Sequence, residues 1–376
     1  MSEAPAPLLL QVCANDHPPF ADICRYYEAA ARMLGWQPLT VMLAASDASA
    51  GPGAAHEFHY LPATGAAGRA GLAACAAKLL DGRRPILTLC HRYRAYRALM
   101  TSGLATGRPV VIAHEFGMLA RRRRRLQLRW DALRGRPQAR FAGVSQPVAD
   151  ELGRAARGRA AGEVLLLPNG LDLARFDAAL LSRDDARRAF DLPPAAFTIG
   201  VVGRLHEKKC PQLAVAGFRA ALAHMPGARL VFVGAGELLP QLQSQAADLP
   251  VTFSGFIANA VRLTRAFDLL LLPSGDREAF GMVVLEAMAA GVPVLCGPAV
   301  GPRFVIAGAG RSFAPATAEA LAEALAAAYA ERHGALHDLA RQARHRVEQT
   351  FSTSAAAVRL RALVNGTAQA PQVGGS

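Results

Sequence analysis

The chain has 376 residues, enough for two domains of ordinary size, and carries a formal net charge of +13. Hydrophobic residues make up 52% and aromatic residues only 6%, and no long uncharged apolar run predicts a membrane-spanning helix. The first residues lack a basic segment followed by an apolar segment of signal-peptide length, so we expect a cytoplasmic protein.

The cysteines are scattered along the chain and form no C-x-x-C pair. Such spacing predicts small buried apolar residues in a reducing compartment rather than a disulfide framework or a metal site. The six are Cys13, Cys24, Cys75, Cys90, Cys210 and Cys296.

The first half of the chain alternates short apolar strands with helices. Residues 7–14 predict a strand, and a helix is expected from about residue 21 to 34. Asp16 and His17 lie in the loop between them, with two prolines that stiffen it. These two side chains either bind a ligand or only shape the turn.

Two further strands are expected at 85–90 and 109–113, and polar residues stand at their carboxyl ends. His91 and Arg92 follow the first of these strands, and His114 follows the second. Open α/β sheets bind ligands at this edge, so the three side chains are candidate site residues.

The positive charge is concentrated between residues 108 and 140, a segment that contains ten arginines and only two acidic residues, Glu115 and Asp131. Five of them are consecutive, Arg121, Arg122, Arg123, Arg124 and Arg125, and a basic helix with interleaved leucines and Trp130 follows. Such a segment favours an anionic membrane surface over a solvated helix face. Nucleic acid is a weaker alternative, since few aromatics are present for base stacking.

The second half repeats the strand–helix alternation, with strands expected at 197–205, 229–236, 251–256 and 268–274. This order predicts a parallel, doubly wound sheet. Arg204 and Lys209 stand five residues apart at the carboxyl end of the first of these strands, where an arginine and a lysine can converge on a diphosphate. Lys208 is the neighbouring alternative to Lys209.

Residues 268–297 predict a strand, a polar loop, a helix ending before Gly291 and another buried strand. Glu278 lies in the loop and Glu286 eight residues further on, in the helix. The amides of Phe280, Gly281 and Met282 are expected at the helix N-terminus, where free N–H groups favour a phosphate.

Three stretches together resemble a known family. E-A-F-G-x4-E-A-M-A-A-G-x-P-V with P-S before it, G-R-L-H-E-K-K at residues 203–209, and the P-N-G segment of 164–176 resemble the retaining GT-B glycosyltransferases of the large family-4-like group, glycosyl transferases group 1. The glycine pair that the family carries in its first loop is absent here.

The resemblance implies an α/β fold of the GT-B type, with two Rossmann-like, doubly wound parallel-sheet domains facing a cleft. We expect an acceptor domain at 1–180, a nucleotide-sugar donor domain at 181–345, a helix at 346–365 returning to the first domain, and a disordered tail at 366–376. The implied reaction moves a sugar from a nucleoside-diphosphate sugar to an acceptor hydroxyl with retention of configuration.

The resemblance also implies roles for individual residues. His114, Glu278, Arg204 and Lys209 would be catalytic, with the two cations offsetting the charge of the leaving diphosphate. Acceptor contacts are expected from Asp16, His17, His91 and Arg92. The donor would be bound by Gly203, Arg204, Lys209, Phe256, Glu278, Ala279, Phe280, Gly281, Met282 and Glu286.

No Asp-x-Asp occurs and two cationic side chains can replace a metal, so we expect neither metal nor cofactor. The expected co-substrate is a UDP-sugar, and a GDP-sugar or an ADP-sugar is the alternative. The acceptor would be a glycolipid or glycan of the cell envelope, such as a lipopolysaccharide core, at the inner face of the bacterial inner membrane.

Nucleic acid is not expected as a partner. A sugar-nucleotide epimerase or phosphorylase of the same fold is the alternative enzyme, and a basic RNA-binding protein is the alternative of another class.

Overall fold

The computed structural model describes residues 5–44, 58–60, 78–102, 109–134, 138–156 and 164–366. The Ala-rich stretch at 68–82 predicts a helix, but only residues 78–82 of it are described, of which 78–80 are helical and 81–82 form a turn. Cys75, Arg108, Arg136 and the tail from residue 367 onwards are also outside them.

The chain divides into two compact units. The first comprises Met1–Asp172 together with Phe351–Ser376, and the second comprises Leu173–Thr350. The change of unit thus falls eight residues before position 180, and the last helix of the chain belongs to the first unit.

The first unit is built on a parallel sheet whose strand order is β3-β2-β1-β4-β5-β6-β7. Its strands are β1 Leu8–Cys13, β2 Gln37–Met42, β3 His59–Tyr60, β4 Leu87–His91, β5 Val110–Ala113, β6 Arg140–Gly143 and β7 Leu165–Leu166. The described helices of this unit include α1 Phe20–Met33, α2 Arg92–Thr101, α3 Arg122–Leu133 and α4 Gln146–Ala156.

Strand β1 is central and fully buried, as expected of a parallel strand covered on both faces. Every residue of β1 is apolar except Gln11. Between β1 and β4 the direction of strand order reverses, and such a switch point is where doubly wound sheets bind ligands.

An Asn-Gly pair such as Asn169–Gly170 is typical of a tight turn, but in the structure Gly170 is explained by close packing. A Cβ at this position would lie 2.2 Å from the Phe351 carbonyl oxygen and 2.3 Å from the Tyr26 ring. Gly170 therefore lets the returning chain at Phe351 contact helix α1 and the segment after β7.

The second unit is built on a parallel sheet of order β10-β9-β8-β11-β12-β13. Its strands are β8 Thr198–Val202, β9 Arg229–Val233, β10 Val251–Phe253, β11 Leu269–Leu272, β12 Val294–Cys296 and β13 Arg311–Ser312. Its helices include α5 Leu173–Ala179, α6 Arg183–Arg188, α7 Pro211–Ala221, α8 Leu239–Gln245, α9 Met282–Ala289, α10 Val300–Ile306, α11 Ala318–Ala330 and α12 Ala335–Thr350, and α13 Thr353–Asn365 follows in the first unit.

The core of the second unit joins the sheet to α7 and α11 through buried aromatic and aliphatic side chains such as Phe218, Phe232 and Leu321. Gly217 permits this packing, because a Cβ there would lie 2.6 Å from Leu321. The segment expected as a helix before β11 is a 3-10 helix, Ala260–Ala266. The order of this sheet also reverses once, between β8 and β11.

Candidate functional site

The switch point of the second sheet brings two predicted site residues into contact. Lys209 follows β8, Glu278 follows the neighbouring strand β11, and the Lys209 Nζ forms an ion pair with Glu278 Oε2. The two side chains are 33% and 20% exposed, so the pair is accessible to a ligand.

The backbone of the loop after β8 passes close to Gly234, the residue that follows β9. Gly203 has a φ of +139°, and a Cβ on the facing Gly234 would lie 1.9 Å from the Gly203 oxygen. The loop then forms a 3-10 turn, Glu207–Lys209, in which His206 Nδ1 accepts a hydrogen bond from the Lys208 amide at 3.2 Å. This turn places Lys209 beside Glu278 and leaves Lys208 exposed. Arg204, in the same loop, has an exposed side chain.

The Glu278 loop rests on the first residues of α10. A Cβ on Gly301 would lie 2.4 Å from the Glu278 carbonyl oxygen, and one on Gly281 would lie 3.0 Å from Pro302. Gly281, at a φ of +87°, is the N-cap of α9, and its carbonyl accepts from the Val284 amide at 3.0 Å. Gly281 and Met282 thus stand at the N-terminus of α9, three and four residues after Glu278 in the sequence.

The other predicted donor-binding residues differ in how far their side chains are exposed. Ala279 and Phe280 are buried, whereas Met282 and Glu286 are partly exposed on α9. Phe256 is 78% exposed, just after Gly255, whose carbonyl accepts from the Gly234 amide at 2.8 Å. The buried Ser274 hydroxyl, at the end of β11, has no partner among the described residues. Sequence reasoning did not select it.

The switch point of the first sheet contains a cavity of about 180 Å³. Its walls come from the segments that follow β1, β4 and β5 and from the start of α3. The lining residues are Ala14, Asn15, Arg92, Tyr93, Arg94, His114, Glu115, Met118 and Arg124.

His91 and His114 form a pair beside this cavity. His91 Nδ1 lies 3.2 Å from His114 Nε2, and His91 Nε2 lies 3.0 Å from Gln11 Oε1. Burial lowers the pKa of His91 to about 3. Burial also lowers the pKa of His114 well below its usual value, and His91 and Arg92 act in the same direction. Both rings are therefore neutral at neutral pH.

Two expectations for the first unit are corrected by the structure. His91 was expected to face an opening, but it is the last residue of β4 and is fully buried against Gln11 and His114. Arg124 was expected on the membrane patch with its neighbours, but it turns inward, donates to the Met118 carbonyl at 2.8 Å and lines the cavity. The exposed arginines at the start of α3 are Arg121, Arg122 and Arg123.

Arg92 has an unusual backbone conformation for an arginine, with a φ of +75°. Its guanidinium lies 4.2 Å from the centroid of the Phe20 ring, and its buried Nε has no partner within the described residues.

Asp16 is buried and accepts a hydrogen bond from the Tyr60 hydroxyl at 2.9 Å, whereas His17 is exposed. Gln11 was missed by sequence reasoning, although a lone polar residue in the apolar strand LLLQVC was the signal for it.

In the part of the chain that the structure describes, no group of three or more His, Cys, Asp or Glu side chains could hold a metal ion. The described helices also include none that is long and apolar enough to cross a membrane.

Comparison with known proteins finds a family match within the second unit. Residues 196–331 match the model of the family described as Glycosyl transferases group 1. A D-inositol 3-phosphate glycosyltransferase of Actinosynnema mirum is 33% identical over 148 residues, 35% of each chain. A GDP-mannose-dependent phosphatidylinositol dimannoside mannosyltransferase of Mycobacterium tuberculosis is 32% identical over 133 residues, 34% of each chain. The chain thus spans about a third of the length of these relatives.

Solved structures resemble the whole chain at low sequence identity. A glycosyltransferase of Rickettsia africae superposes with a TM-score of 0.74 at 15% identity, over 96% of this chain and 99% of the other. The Anabaena protein HepE, solved with UDP and glucose, gives a TM-score of 0.72 at 19% identity over the same shares.

These superpositions, together with the two parallel α/β sheets, define the fold as GT-B and confirm the predicted fold class. The predicted relation to the group 1 glycosyltransferases is confirmed for residues 196–331.

Proposed function

We propose that this protein is a retaining glycosyltransferase that moves a sugar from a nucleoside-diphosphate sugar to a hydroxyl of a glycolipid or glycan. The observation that carries the proposal is the Lys209–Glu278 pair at the switch point of the second sheet, within the residues that match the group 1 family. A cation and a carboxylate side by side suit a ligand with a diphosphate next to a polyhydroxylated ring.

Each side chain has a role in this proposal. Lys209 moves from Glu278 to the diphosphate when the donor binds, Arg204 adds a second cation, and the amides at the N-terminus of α9 donate to phosphate oxygens. Glu278, once released, accepts hydrogen bonds from sugar hydroxyls. Glu286 accepts from the ribose hydroxyls.

The proton balance needs no protein base. The diphosphate leaves from the sugar C1 as the acceptor oxygen bonds to it, and the leaving phosphate takes the acceptor proton on the same face of the ring. Configuration at C1 is thereby retained. This front-face route rests on the resemblance described above.

For the donor, UDP-, GDP- and ADP-sugars are all candidates. HepE was solved with UDP and glucose, and the mycobacterial relative is named for GDP-mannose. For the acceptor, we infer a cell-envelope glycolipid, such as a lipopolysaccharide core, reached at an anionic membrane surface through helix α3. Exposed Leu126, Trp130 and Leu133 beside Arg121, Arg122 and Arg123 support that part of the proposal.

The test uses the full chain with UDP-, GDP- and ADP-sugars, with and without a bacterial membrane lipid extract. We expect release of one nucleoside diphosphate, stimulated by the extract, and an α-linked product from an α-linked donor by NMR. Glu286→Ala should lose most of this activity, while Glu323→Ala, an exposed change on α11, keeps it.

Two results would contradict the proposal. Interconversion of the sugar nucleotides without release of nucleoside diphosphate would indicate the epimerase alternative. Product of inverted configuration would overturn the retaining mechanism while leaving glycosyl transfer intact.

A further inference from the structure

A chain of buried hydrogen bonds in the first unit has a single possible direction. Gln11 Nε2 lies 3.0 Å from the Cys24 carbonyl oxygen and 3.0 Å from Thr40 Oγ1. A carbonyl oxygen can only accept, so the NH₂ side of the Gln11 amide must point to Cys24. The Thr40 hydroxyl donates to Glu28 Oε1 at 2.6 Å, which leaves its oxygen to accept from Gln11.

This orientation of Gln11 fixes the proton on each of the two histidines. Gln11 Oε1 faces His91 Nε2 at 3.0 Å, so the proton of the neutral His91 ring must be on Nε2. His91 Nδ1 is then bare and accepts from His114 Nε2 at 3.2 Å. The proton of His114 is consequently on Nε2, and His114 Nδ1 is bare.

The bare nitrogen has no partner within the part of the chain that the structure describes. His114 Nδ1 is buried and no hydrogen-bond donor reaches it among the described residues, although His114 lines the cavity at the first switch point. A buried acceptor without a donor costs free energy, and a ligand that brings a donor removes that cost. The donor must be uncharged, because three arginines in the same wall disfavour an ammonium group.

The arginines define a second requirement. Arg92, Arg94 and Arg124 line the cavity against a single lining carboxylate, that of Glu115. The Arg92 Nε is buried without a partner in the described part of the chain. A ligand that brings a hydrogen-bond acceptor would therefore satisfy it. The volume of about 180 Å³ corresponds to roughly six waters at ~30 Å³ each, enough for a small substituted polyol.

We propose that this cavity binds a polyol bearing a phosphate or carboxylate, with His114 Nδ1 accepting a hydroxyl and Arg92, Arg94 and Arg124 receiving the anionic group. Gln11 and His91 are positioning residues, which act by keeping His114 in its accepting tautomer. The identification of this ligand as the acceptor substrate, or as the portion of the acceptor that receives the sugar, rests on the proposed function. The binding of an anionic polyol in the cavity does not depend on the proposed function. The hydroxyl on His114 is then that of the ligand in the cavity.

The first measurement needs no variant. In the full chain labelled with ¹⁵N-histidine, two-bond proton–nitrogen spectra distinguish protonated from bare ring nitrogens. We expect His91 and His114 both to carry the proton on Nε2. A proton on His114 Nδ1 in the free protein would overturn the proposal.

The second measurement is a titration without any nucleotide sugar, using glycerol 1-phosphate, glycerate, inorganic phosphate and glycerol as probes. We expect one of the two hydroxylated anions to bind at least tenfold more tightly than phosphate or glycerol and to shift the His114 Nδ1 signal. The better of the two identifies the anionic group. Equal binding of phosphate, or no saturable binding by any probe, would contradict the proposal.

Two variants separate the anion contact from the tautomer. Arg94→Gln, at an exposed position, should weaken the anionic polyol at least tenfold and leave the ring protons unchanged. Arg129→Gln, exposed on α3 and outside the cavity wall, should change neither the affinity for the anionic polyol nor the positions of the ring protons.

Gln11→Met should allow the proton of His114 to move to Nδ1 and should weaken the binding of the hydroxylated probes. UDP binding to the wild-type chain is measured in parallel. Absence of UDP binding with polyol binding intact counts against the proposed function, and absence of polyol binding with UDP binding intact counts against this proposal.

Discussion

The buried histidine pair gives the first unit a stability that depends on pH. The pKa of His91 is about 3 in the fold, against 6.5 in an exposed chain. The unfolded chain therefore binds a proton at pH values where the folded protein does not. Stability is fully present above about pH 6.5, falls as the pH decreases, and stops falling on this account below about pH 3.

The His91→Asn variant tests this dependence. At pH 5 the neutral, buried His91 should cost about 2 kcal/mol of stability relative to pH 7. Urea unfolding at both pH values should show a smaller difference in His91→Asn than in the wild type. His345→Asn, which changes an exposed histidine of α12, is the matched control and should keep the wild-type difference. An unchanged difference in His91→Asn would show that His91 is not held neutral.

At the scale of secondary-structure elements, Gly170 determines how the returning chain packs. Gly170→Ala would place a Cβ 2.2 Å from the Phe351 oxygen, an overlap that should lower the free energy of unfolding by about 1–3 kcal/mol. Gly153→Ala, inside helix α4 with no heavy atom within 4 Å of its Cβ, should instead raise it by about 0.5–1 kcal/mol. Denaturant unfolding measures both. Equal effects of the two changes would contradict the packing described at Gly170.

Helix α3 is the element that would contact a membrane. Arg121, Arg122 and Arg123, changed together to Gln, should weaken binding to anionic vesicles roughly 100-fold at low salt, at about 1 kcal/mol per arginine. Arg341→Gln, an exposed change on α12, should leave the affinity unchanged. Arg124 is kept because it lines the cavity. Equal vesicle flotation of the triple variant and the wild type would remove α3 as the membrane contact.

The strands and most helices were predictable because apolar periodicity is a local property of the sequence. The strand ends that carry Lys209, Glu278 and His114 were found in this way, and so was the basic helix. The inward turn of Arg124 and the burial of His91 were not predictable, since both depend on which neighbours the sheet order brings together. The direct ion pair between Lys209 and Glu278, 69 residues apart, has the same origin. Gln11 was predictable only as a polar exception in a buried strand.

At the scale of the whole molecule, the described residues of each unit form one sheet with one reversal of strand order and a group of polar side chains at that reversal. The groups differ in chemistry. The second unit presents an exchangeable Lys209–Glu278 pair beside a helix N-terminus, which suits a diphosphate and a sugar ring. The first unit presents arginines and a bare imidazole nitrogen, which suits an anionic polyol. Under the two proposals made above, the donor and the acceptor would bind to different units.

The central claim is that the Lys209–Glu278 pair opens to bind a nucleoside diphosphate, and calorimetric titration of the full chain with UDP, GDP and ADP tests it most directly. We expect one nucleotide to bind the wild type. Lys209→Ala should weaken it by about 10- to 100-fold, as losing a charge-assisted hydrogen bond of ~1.5–3 kcal/mol implies. Lys208→Ala, a change at the exposed neighbour, should bind like the wild type. Equal affinity in all three proteins, or no binding of any nucleotide to the wild type, would contradict the account.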